Sequence, residues 1–189
     1  MDIGCIVLAA GNAARFGSNK LLRTVAGKSL IHRTLESIPT EQFSQVVVVT
    51  QYPEIAAIAK EFSFTSIHND HPDWGQSYSI RLGITALQPC DAVLFMVADQ
   101  PLLRRESVAQ LLTLAYSHPD NIACLSCNGV KGNPCLFPAR FFGELLALEG
   151  DCGGRAIRKN HENDTVTLEV PQEELWDVDT PEALAELDN

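Results

Sequence analysis

A loop of small residues with two cations follows the first apolar run of the chain. The run covers residues 3–9 and leads through Ala10 and Gly11 into a segment that holds Arg15 and Lys20. Small residues let successive backbone N–H groups approach a polyphosphate closely, and the two cations could neutralise its charge. An ordinary glycine-containing turn with two solvated cations gives the same pattern, so a phosphate site is one of two interpretations of this loop.

A carboxylate stands directly after another apolar run. Asp99 follows residues 92–97 and precedes Gln100 and Pro101. Mg²⁺ prefers oxygen ligands and usually takes one or two protein carboxylates together with substrate phosphates. Asp99 is therefore a candidate magnesium ligand, although an aspartate that caps a helix beginning near Pro101 would stand at the same place.

Two further carboxylates lie near the end of the chain. Asp177 and Asp179 are two positions apart, so in an extended segment their side chains share a face. Either could supply a second metal ligand. Asp179 or Thr180 could also cap a helix that begins at Pro181, and both roles are compatible.

A polar loop at residues 68–76 leads into a helical stretch rich in serine. Gly75, Ser77 and Ser79 lie here, and their backbone and hydroxyl groups could contact a base or a ribose. Gln76 or Ser77 could equally do no more than start the helix, so the segment is a candidate nucleotide contact and not a specific signal.

The elements that position these residues alternate along the chain. The hydrophobic pattern predicts strands over residues 3–9, 45–50, 64–67, 92–97, 122–127, 134–137 and 165–170, with helices over 30–38, 53–62, 77–87, 104–117, 139–148 and 154–160 and from 181. This alternation predicts a single Rossmann-like α/β domain over residues 1–189, with three layers, a mostly parallel sheet and a small antiparallel extension. Ligands of such sheets bind beyond the carboxyl ends of the strands, where residues 10–20, 68–76 and 99–101 fall.

Composition limits the class of partner. The 189 residues carry 14 Lys and Arg against 24 Asp and Glu, a net charge of −10, which argues against nucleic-acid binding but leaves room for a small anion held by a local cation cluster. The chain has no apolar run long enough to span a membrane and no basic leader, so we expect a cytoplasmic protein. Its six cysteines are then expected to be reduced thiols, and the single pair Cys124 and Cys127 lacks the further ligands of a zinc site.

Taken together and in order, these segments resemble the nucleotidyltransferases of molybdenum cofactor maturation, the MobA-like NTP transferases. The resemblance covers nearly the whole chain and is closest to the members that transfer a cytidylyl group. It is carried by residues 8–22 (LAAGNAARFGSNKLL), Asn69 with 75–83 (GQSYSIRLG), 99–101 (DQP), 132–134 (GNP), 150–155 (GDCGGR) and 177–181 (DVDTP).

The resemblance implies a role for each matching residue. It implies catalytic roles for Arg15, Lys20 and Asp99, and Mg²⁺ ligands in Asp99 and Asp179. Nucleotide contacts are implied for Leu8, Ala9, Ala10, Gly11, Arg15, Lys20, Asn69, Gly75, Ser77, Ser79 and Asp99, and acceptor contacts for Asn133, Pro134, Asp151 and Arg155.

The implied reaction joins CMP from CTP to the terminal phosphate of molybdopterin and releases pyrophosphate. Ala10 stands where guanylyl-transferring relatives have glycine, which favours CTP by analogy. Ala13 stands where a serine is common in the family, which removes one possible hydrogen bond to a phosphate. Asn133 stands where a histidine is frequent, which puts the contact with the pterin of the acceptor in question.

Other functions remain open at this point. A transferase that joins a nucleotide to a sugar phosphate or a methylerythritol phosphate would share the first loop, although residues 150–155 argue against it. A guanylyltransferase is a further alternative. A non-catalytic carrier would instead deliver the molybdenum cofactor to a molybdoenzyme or its chaperone.

Overall fold

The computed structural model describes residues 1–11 and 19–187. Its strands are β1 Ile3–Leu8, β2 Thr24–Val25, β3 Lys28–Ser29, β4 Gln45–Thr50, β5 Thr65–His68, β6 Ala92–Val97, β7 Ile122–Cys127, β8 Val130–Pro138 and β9 Thr165–Glu169. Its α-helices are α1 Leu30–Glu36, α2 Pro53–Glu61, α3 Gln76–Ala86, α4 Arg105–Ser117, α5 Phe142–Leu146, α6 Gly154–Asn160 and α7 Pro181–Glu186.

Seven strands form one sheet in the order β5-β4-β1-β6-β8-β7-β9. All neighbouring pairs are parallel except the two that involve β8, which runs against β6 and β7. The carboxyl ends of the other six strands therefore meet at one edge, and the amino end of β8 lies at that same edge. The fold prediction, a three-layer α/β domain with a mostly parallel sheet and a small antiparallel part, is confirmed.

The two faces of the sheet are covered by different helices because side chains alternate along each strand. In β1, Ile3, Cys5 and Val7 join a core with residues of α1, α2 and α4, while Ile6 joins a second core with residues of α3, α5 and α6. Strands buried on both faces explain why the runs of the sequence are continuously apolar.

The hairpin between β7 and β8 is tighter than the sequence predicts. The predicted connection over residues 128–132 is too long, because β8 already begins at Val130. The turn consists of Asn128 and Gly129, with φ angles of 50° and 76°. Two positive φ angles make the mirror-image turn whose twist matches that of the strands, which an Asn-Gly pair favours. Because β8 starts earlier than predicted, Asn133 belongs to the strand, near the edge where the carboxyl ends of the other six strands meet.

Two other elements depart from the predicted ones. A small hairpin of β2 and β3, with Thr24 opposite Ser29, forms a separate two-stranded sheet. The helix predicted over residues 139–148 is instead a 3-10 turn, Ala139–Phe141, followed by the short α5. Ser29 caps α1 as expected, since its hydroxyl accepts a hydrogen bond from the His32 amide.

Within the described ranges, 1–11 and 19–187, the helices are all too short or too polar to cross a membrane.

Candidate active site

Lys20 lies at the centre of a cluster of oxygen atoms at the edge of the sheet where the carboxyl ends of six strands meet. Its Nζ is 2.8 Å from Oδ2 of Asp99, 3.2 Å from Oδ1 of Asp179 and 3.0 Å from the carbonyl oxygen of Val178. Lys20 and Asp99 are largely buried, with side chains 19% and 22% exposed, whereas Asp179 is 61% exposed. The structure thus brings together three residues that the sequence predicts for one site.

Local structure fixes each member of this cluster. Lys20 begins a 3-10 turn, Lys20–Leu22, whose Leu21 amide donates a hydrogen bond to the side chain of Asn19. Asp99 leaves the end of β6, and its carbonyl oxygen accepts a hydrogen bond of 3.0 Å from the amide of Val178. That bond joins the segment before α7 to the end of β6, so the two carboxylates are held on either side of the lysine.

The carboxylates determine the protonation of the lysine. Burial lowers the pKa of Lys20, but the charges and hydrogen bonds of Asp99 and Asp179 outweigh burial and raise the pKa above its usual value. Lys20 therefore remains a cation at neutral pH.

A cavity of about 530 Å³ opens beside Lys20 and Asp99. Eight of the residues predicted to contact the nucleotide line it: Leu8, Ala9, Ala10, Gly11, Lys20, Gly75, Ser79 and Asp99. Arg15 and Ala13 lie outside the described residues. Asp151, predicted to contact the acceptor, also lines this cavity.

Two of the residues predicted to contact the nucleotide, Asn69 and Ser77, are buried and form hydrogen bonds within the protein. Asn69 is 1% exposed; its amide nitrogen donates to the Ser79 hydroxyl at 2.9 Å, and its side-chain oxygen accepts from the His71 amide. Ser77 is also buried, and its amide donates to the carbonyl oxygen of Gly150. These contacts hold residues 69–79 in place beside the cavity.

Gly75 has a conformation and a position that only glycine fits. Its φ and ψ angles are 85° and −175°, and a Cβ atom there would lie 2.4 Å from the carbonyl carbon and oxygen of Gly150. Gly75 therefore allows the loop before α3 to pack against the backbone of residues 150–151. The sequence presented Gly75 as a ligand contact, and this packing role was missed.

A second and larger cavity, of about 870 Å³, adjoins the first. Leu8, Gln76 and Val97 line both cavities, so the two share a wall at the ends of β1 and β6. Of the predicted acceptor residues, Asn133 and the exposed Arg155 line the larger cavity, while Pro134 is buried in β8 behind Asn133. The larger cavity also contains Lys131, Arg158, Glu173 and Asp177.

Arg158 lines the larger cavity and was not predicted from the sequence as a site residue. It is 7% exposed, and its guanidinium donates hydrogen bonds to the carbonyl oxygens of Gly132 at 2.9 Å and Lys131 at 3.0 Å. Arg158 thereby ties α6 to the start of β8. Its position three residues after Arg155, on one face of α6, was a usable signal.

Asp177 lines the larger cavity. Burial raises the pKa of Asp177 to about 6; the charge of Asp99 raises it as well, while a hydrogen bond from the side chain of Gln100 lowers it. Of the two carboxylates that the sequence offered as a second metal ligand, Asp179 is the one that contacts Lys20.

Two of the buried cysteines lie on neighbouring strands. Cys124 lies opposite Cys135 in the register of β7 and β8, and a hydrogen bond between the two thiols couples them. Among residues 1–11 and 19–187, no group of three or more His, Cys, Asp or Glu side chains is arranged to hold a metal ion.

Comparison with known proteins gives a family match over most of the chain. The profile of the MobA-like NTP transferase domain matches residues 5–166. The purine catabolism protein PucB of Bacillus subtilis is 28% identical over 94% of this chain and 91% of its own length. A probable molybdenum cofactor guanylyltransferase of Aquifex aeolicus is 33% identical, but over 63% of this chain and 56% of its own.

Solved structures share the fold at lower identity. The crystal structure of Rv0371c from Mycobacterium tuberculosis superposes with a TM-score of 0.82 at 22% identity, covering 100% of this chain and 98% of that one. A complex of Rv0371c with manganese superposes with a TM-score of 0.79, also at 22% identity, over 99% and 98% of the two chains.

Proposed function

The chain belongs to the MobA-like NTP transferase family, and we propose that it transfers CMP from CTP to the terminal phosphate of molybdopterin, with release of pyrophosphate. The acceptor carries molybdenum as cargo. The family gives the general class, nucleotidyl transfer; the nucleotide, the acceptor and the residue roles are our proposal.

The position of Lys20 and Asp99 beside two adjoining cavities is the observation that most strongly supports nucleotidyl transfer. They line the smaller cavity, and this cavity shares Leu8, Gln76 and Val97 with the larger one. A reaction that joins two phosphorylated molecules needs two adjoining sites with charge-compensating groups beside one of them. These two cavities meet that requirement.

The nucleotide occupies the smaller cavity in this proposal. Residues 8–11, at the end of β1 and directly after it, line the cavity. Lys20 lines it as well, and its ammonium would pair with the triphosphate. Arg15 adds a second cation from the same loop. Asn69 and Ser77 act as positioning residues, because both are buried and hydrogen-bonded within the protein.

The acceptor occupies the larger cavity. Asn133 and Arg155 line it, and Lys131 and Arg158 add positive charge to the same wall. These three cations outnumber the two carboxylates of the same cavity, Glu173 and Asp177, and so favour an anionic acceptor. The net charge of −10 opposes it little, because that diffuse charge is screened beyond about 8 Å at physiological salt. Pro134 shapes the strand behind Asn133, and Asp151 belongs with the nucleotide cavity that it lines.

The donor set at Lys20 fits a divalent cation. Asp99, Asp179 and the Val178 carbonyl converge on one cationic group, and all three offer hard oxygen atoms. Two carboxylates suffice for Mg²⁺, which keeps several positions for water and substrate phosphates. The manganese complex of Rv0371c supports a divalent metal in this fold. When bound, the cation would neutralise charge on the triphosphate and on the departing pyrophosphate.

The work of the protein in this reaction is electrostatic. The attacking phosphate is already an anion, so it needs no strong general base, but it must approach a triphosphate of about four negative charges. Two like unit charges 4 Å apart repel by about 4 kcal/mol at an effective dielectric constant of about 20. Lys20 and Arg15 offset this repulsion and hold the triphosphate for attack at the α-phosphorus.

The choice of CTP depends on Ala10, which lines the nucleotide cavity and is 4% exposed. A methyl group at this position narrows the space beside the base relative to the glycine of guanylyl-transferring relatives. A smaller pyrimidine is the better match to the narrower space.

A nucleotide panel tests this function. The purified protein, molybdopterin loaded with molybdenum and Mg²⁺ are combined with CTP, GTP or ATP, and both pyrophosphate and the dinucleotide are quantified. We expect CTP to give both products, GTP and ATP to give far less, and EDTA to stop the reaction. Omitting the acceptor is the control for simple hydrolysis.

Other results of the nucleotide panel would indicate a different function. A preference for GTP would make the protein a guanylyltransferase. Binding of the acceptor without release of pyrophosphate would make it a carrier. Turnover with a sugar phosphate, and none with molybdopterin, would overturn the proposed acceptor.

A further inference from the structure

The Lys20 ammonium occupies the position that a divalent cation needs. Three oxygen atoms, from Asp99, Asp179 and Val178, lie within 3.2 Å of its Nζ. These are the same oxygen atoms that make up the donor set for the metal. The ammonium is a stand-in cation, because it satisfies the carboxylates with its own charge and donors.

The lysine and the metal cannot use these oxygens together. A cation placed among them would lie against the Lys20 ammonium, so binding must break the contacts of 2.8 and 3.2 Å to Asp99 and Asp179. Without another partner, the displaced lysine, four-fifths buried, would lose both of its counter-charges. Such a loss makes cation binding to the protein alone unfavourable.

A triphosphate supplies the missing partner. Lys20 and Asp99 both line the smaller cavity, so a triphosphate there would offer anionic oxygens to the lysine. The Lys20 ammonium can then exchange Asp99 and Asp179 for phosphate, and the carboxylates become available.

We infer that Lys20 fills the cation position of the nucleotide-free protein and that a triphosphate, by drawing the lysine away, opens this position to the metal. Resting on the proposed function, this makes Lys20 the residue that sets the order of assembly: the metal enters with or after the nucleotide. Lys20 then has two successive partners, the carboxylates first and the triphosphate later.

Binding of Mn²⁺ to the nucleotide-free protein tests the first half of this inference. Free Mn²⁺ is measured by electron paramagnetic resonance for the wild-type chain, Lys20→Met and Lys20→Arg. We expect Lys20→Met to bind Mn²⁺ about tenfold more tightly than wild type, since it removes the competing charge, and Lys20→Arg to bind it no better than wild type. Adding Asp99→Asn to Lys20→Met should abolish the gain.

An equal or lower Mn²⁺ affinity of Lys20→Met would overturn the inference. Circular dichroism establishes that each variant is folded, and Lys20→Gln replaces Lys20→Met if the latter is not.

A measurement on the wild-type chain tests the second half. The ammonium signal of Lys20 is followed by lysine-selective NMR, assigned by its absence in Lys20→Arg. We expect a protected signal in the free protein that shifts when CTP and Mg²⁺ are added and stays unchanged with Mg²⁺ alone at the same concentration. A signal displaced by Mg²⁺ alone, or left unchanged by CTP with Mg²⁺, would contradict the inference.

The two proposals fail separately. Absence of pyrophosphate release with every nucleotide would overturn the proposed reaction and leave the Mn²⁺ affinities as they are. Equal Mn²⁺ affinities would overturn the role of Lys20 and leave the reaction standing.

Discussion

At the scale of single residues, Lys20 and Asp99 contact each other across 79 positions of sequence. The pattern of the chain indicated each as a candidate, one as a phosphate cation and the other as a metal ligand. That the two form an ion pair could not be predicted, because it depends on which strands are neighbours in the sheet. The contact follows from β1 and β6 lying side by side with their carboxyl ends together.

The variant Asp99→Asn tests the metal role of this carboxylate. The amide keeps the size of the side chain but loses its charge, so we expect metal-dependent turnover to fall by about 100-fold or more. The free energy of unfolding should fall by about 1–3 kcal/mol, because the largely buried Lys20 ammonium keeps only one of its two carboxylate partners. Asp120→Asn, at an exposed carboxylate before β7, is the matched control. Near-normal turnover of Asp99→Asn would contradict the assignment.

The carboxyl of Asp177 predicts a dependence of stability on pH. Its pKa is raised in the fold to about 6, against about 3.9 in an unfolded chain, so between these values the folded protein binds more protons. The contribution of Asp177 to the free energy of unfolding therefore falls as the pH rises from about 4 to 6.

Urea unfolding in EDTA at about pH 4 and pH 7 measures this contribution. Relative to wild type, Asp177→Asn should be about 1 kcal/mol more stable at pH 7 and unchanged at pH 4, the small size reflecting partial solvation of the group. A variant that is less stable than wild type at pH 7 would contradict the raised pKa.

At the scale of elements, close packing between two loops shapes the smaller cavity. Gly75, before α3, lies against Gly150, and Gly153 and Gly154 precede and begin α6. The alternation of strands and helices predicted most element types, because strands buried on both faces leave continuous apolar runs. Two strands were missed, β2 and β3, because they have two residues each, too few to show a period. The helix predicted over residues 139–148 was too long, since only the five residues of α5 are α-helical.

The variant Gly75→Ala measures what this packing contributes. Alanine would be strained at a φ of 85° and ψ of −175° and would collide with the Gly150 backbone, so we expect a loss of about 3 kcal/mol or more in the free energy of unfolding and weaker CTP binding. Gly27→Ala is the control, since Gly27 has a φ of 79° but no atom within 4 Å of the added carbon, and it should cost only about 1–2 kcal/mol. Equal losses of unfolding free energy in the two variants would contradict a stabilising contact between Gly75 and Gly150.

At the scale of the whole molecule, the sheet brings distant segments to one edge. The prediction that residues 10–20, 68–76 and 99–101 meet there was drawn from the rule for parallel sheets, and for the described parts of these segments the smaller cavity agrees with it. The division into two cavities could not be predicted, because it depends on the reversed strand β8 and on the segment before α7. Asp151 is an example: the resemblance implied a contact with the acceptor, yet the packing of Gly75 on Gly150 places Asp151 at the smaller cavity.

The most direct measurement is a crystal structure of the protein with CTP and Mn²⁺, located by the anomalous scattering of the metal. We predict one Mn²⁺ peak beside Asp99 and Asp179, the triphosphate in the smaller cavity, and the Lys20 ammonium on a phosphate oxygen. A nucleotide bound elsewhere, or a cavity that holds CTP while Mn²⁺ is absent from both carboxylates, would contradict the electrostatic account of this site.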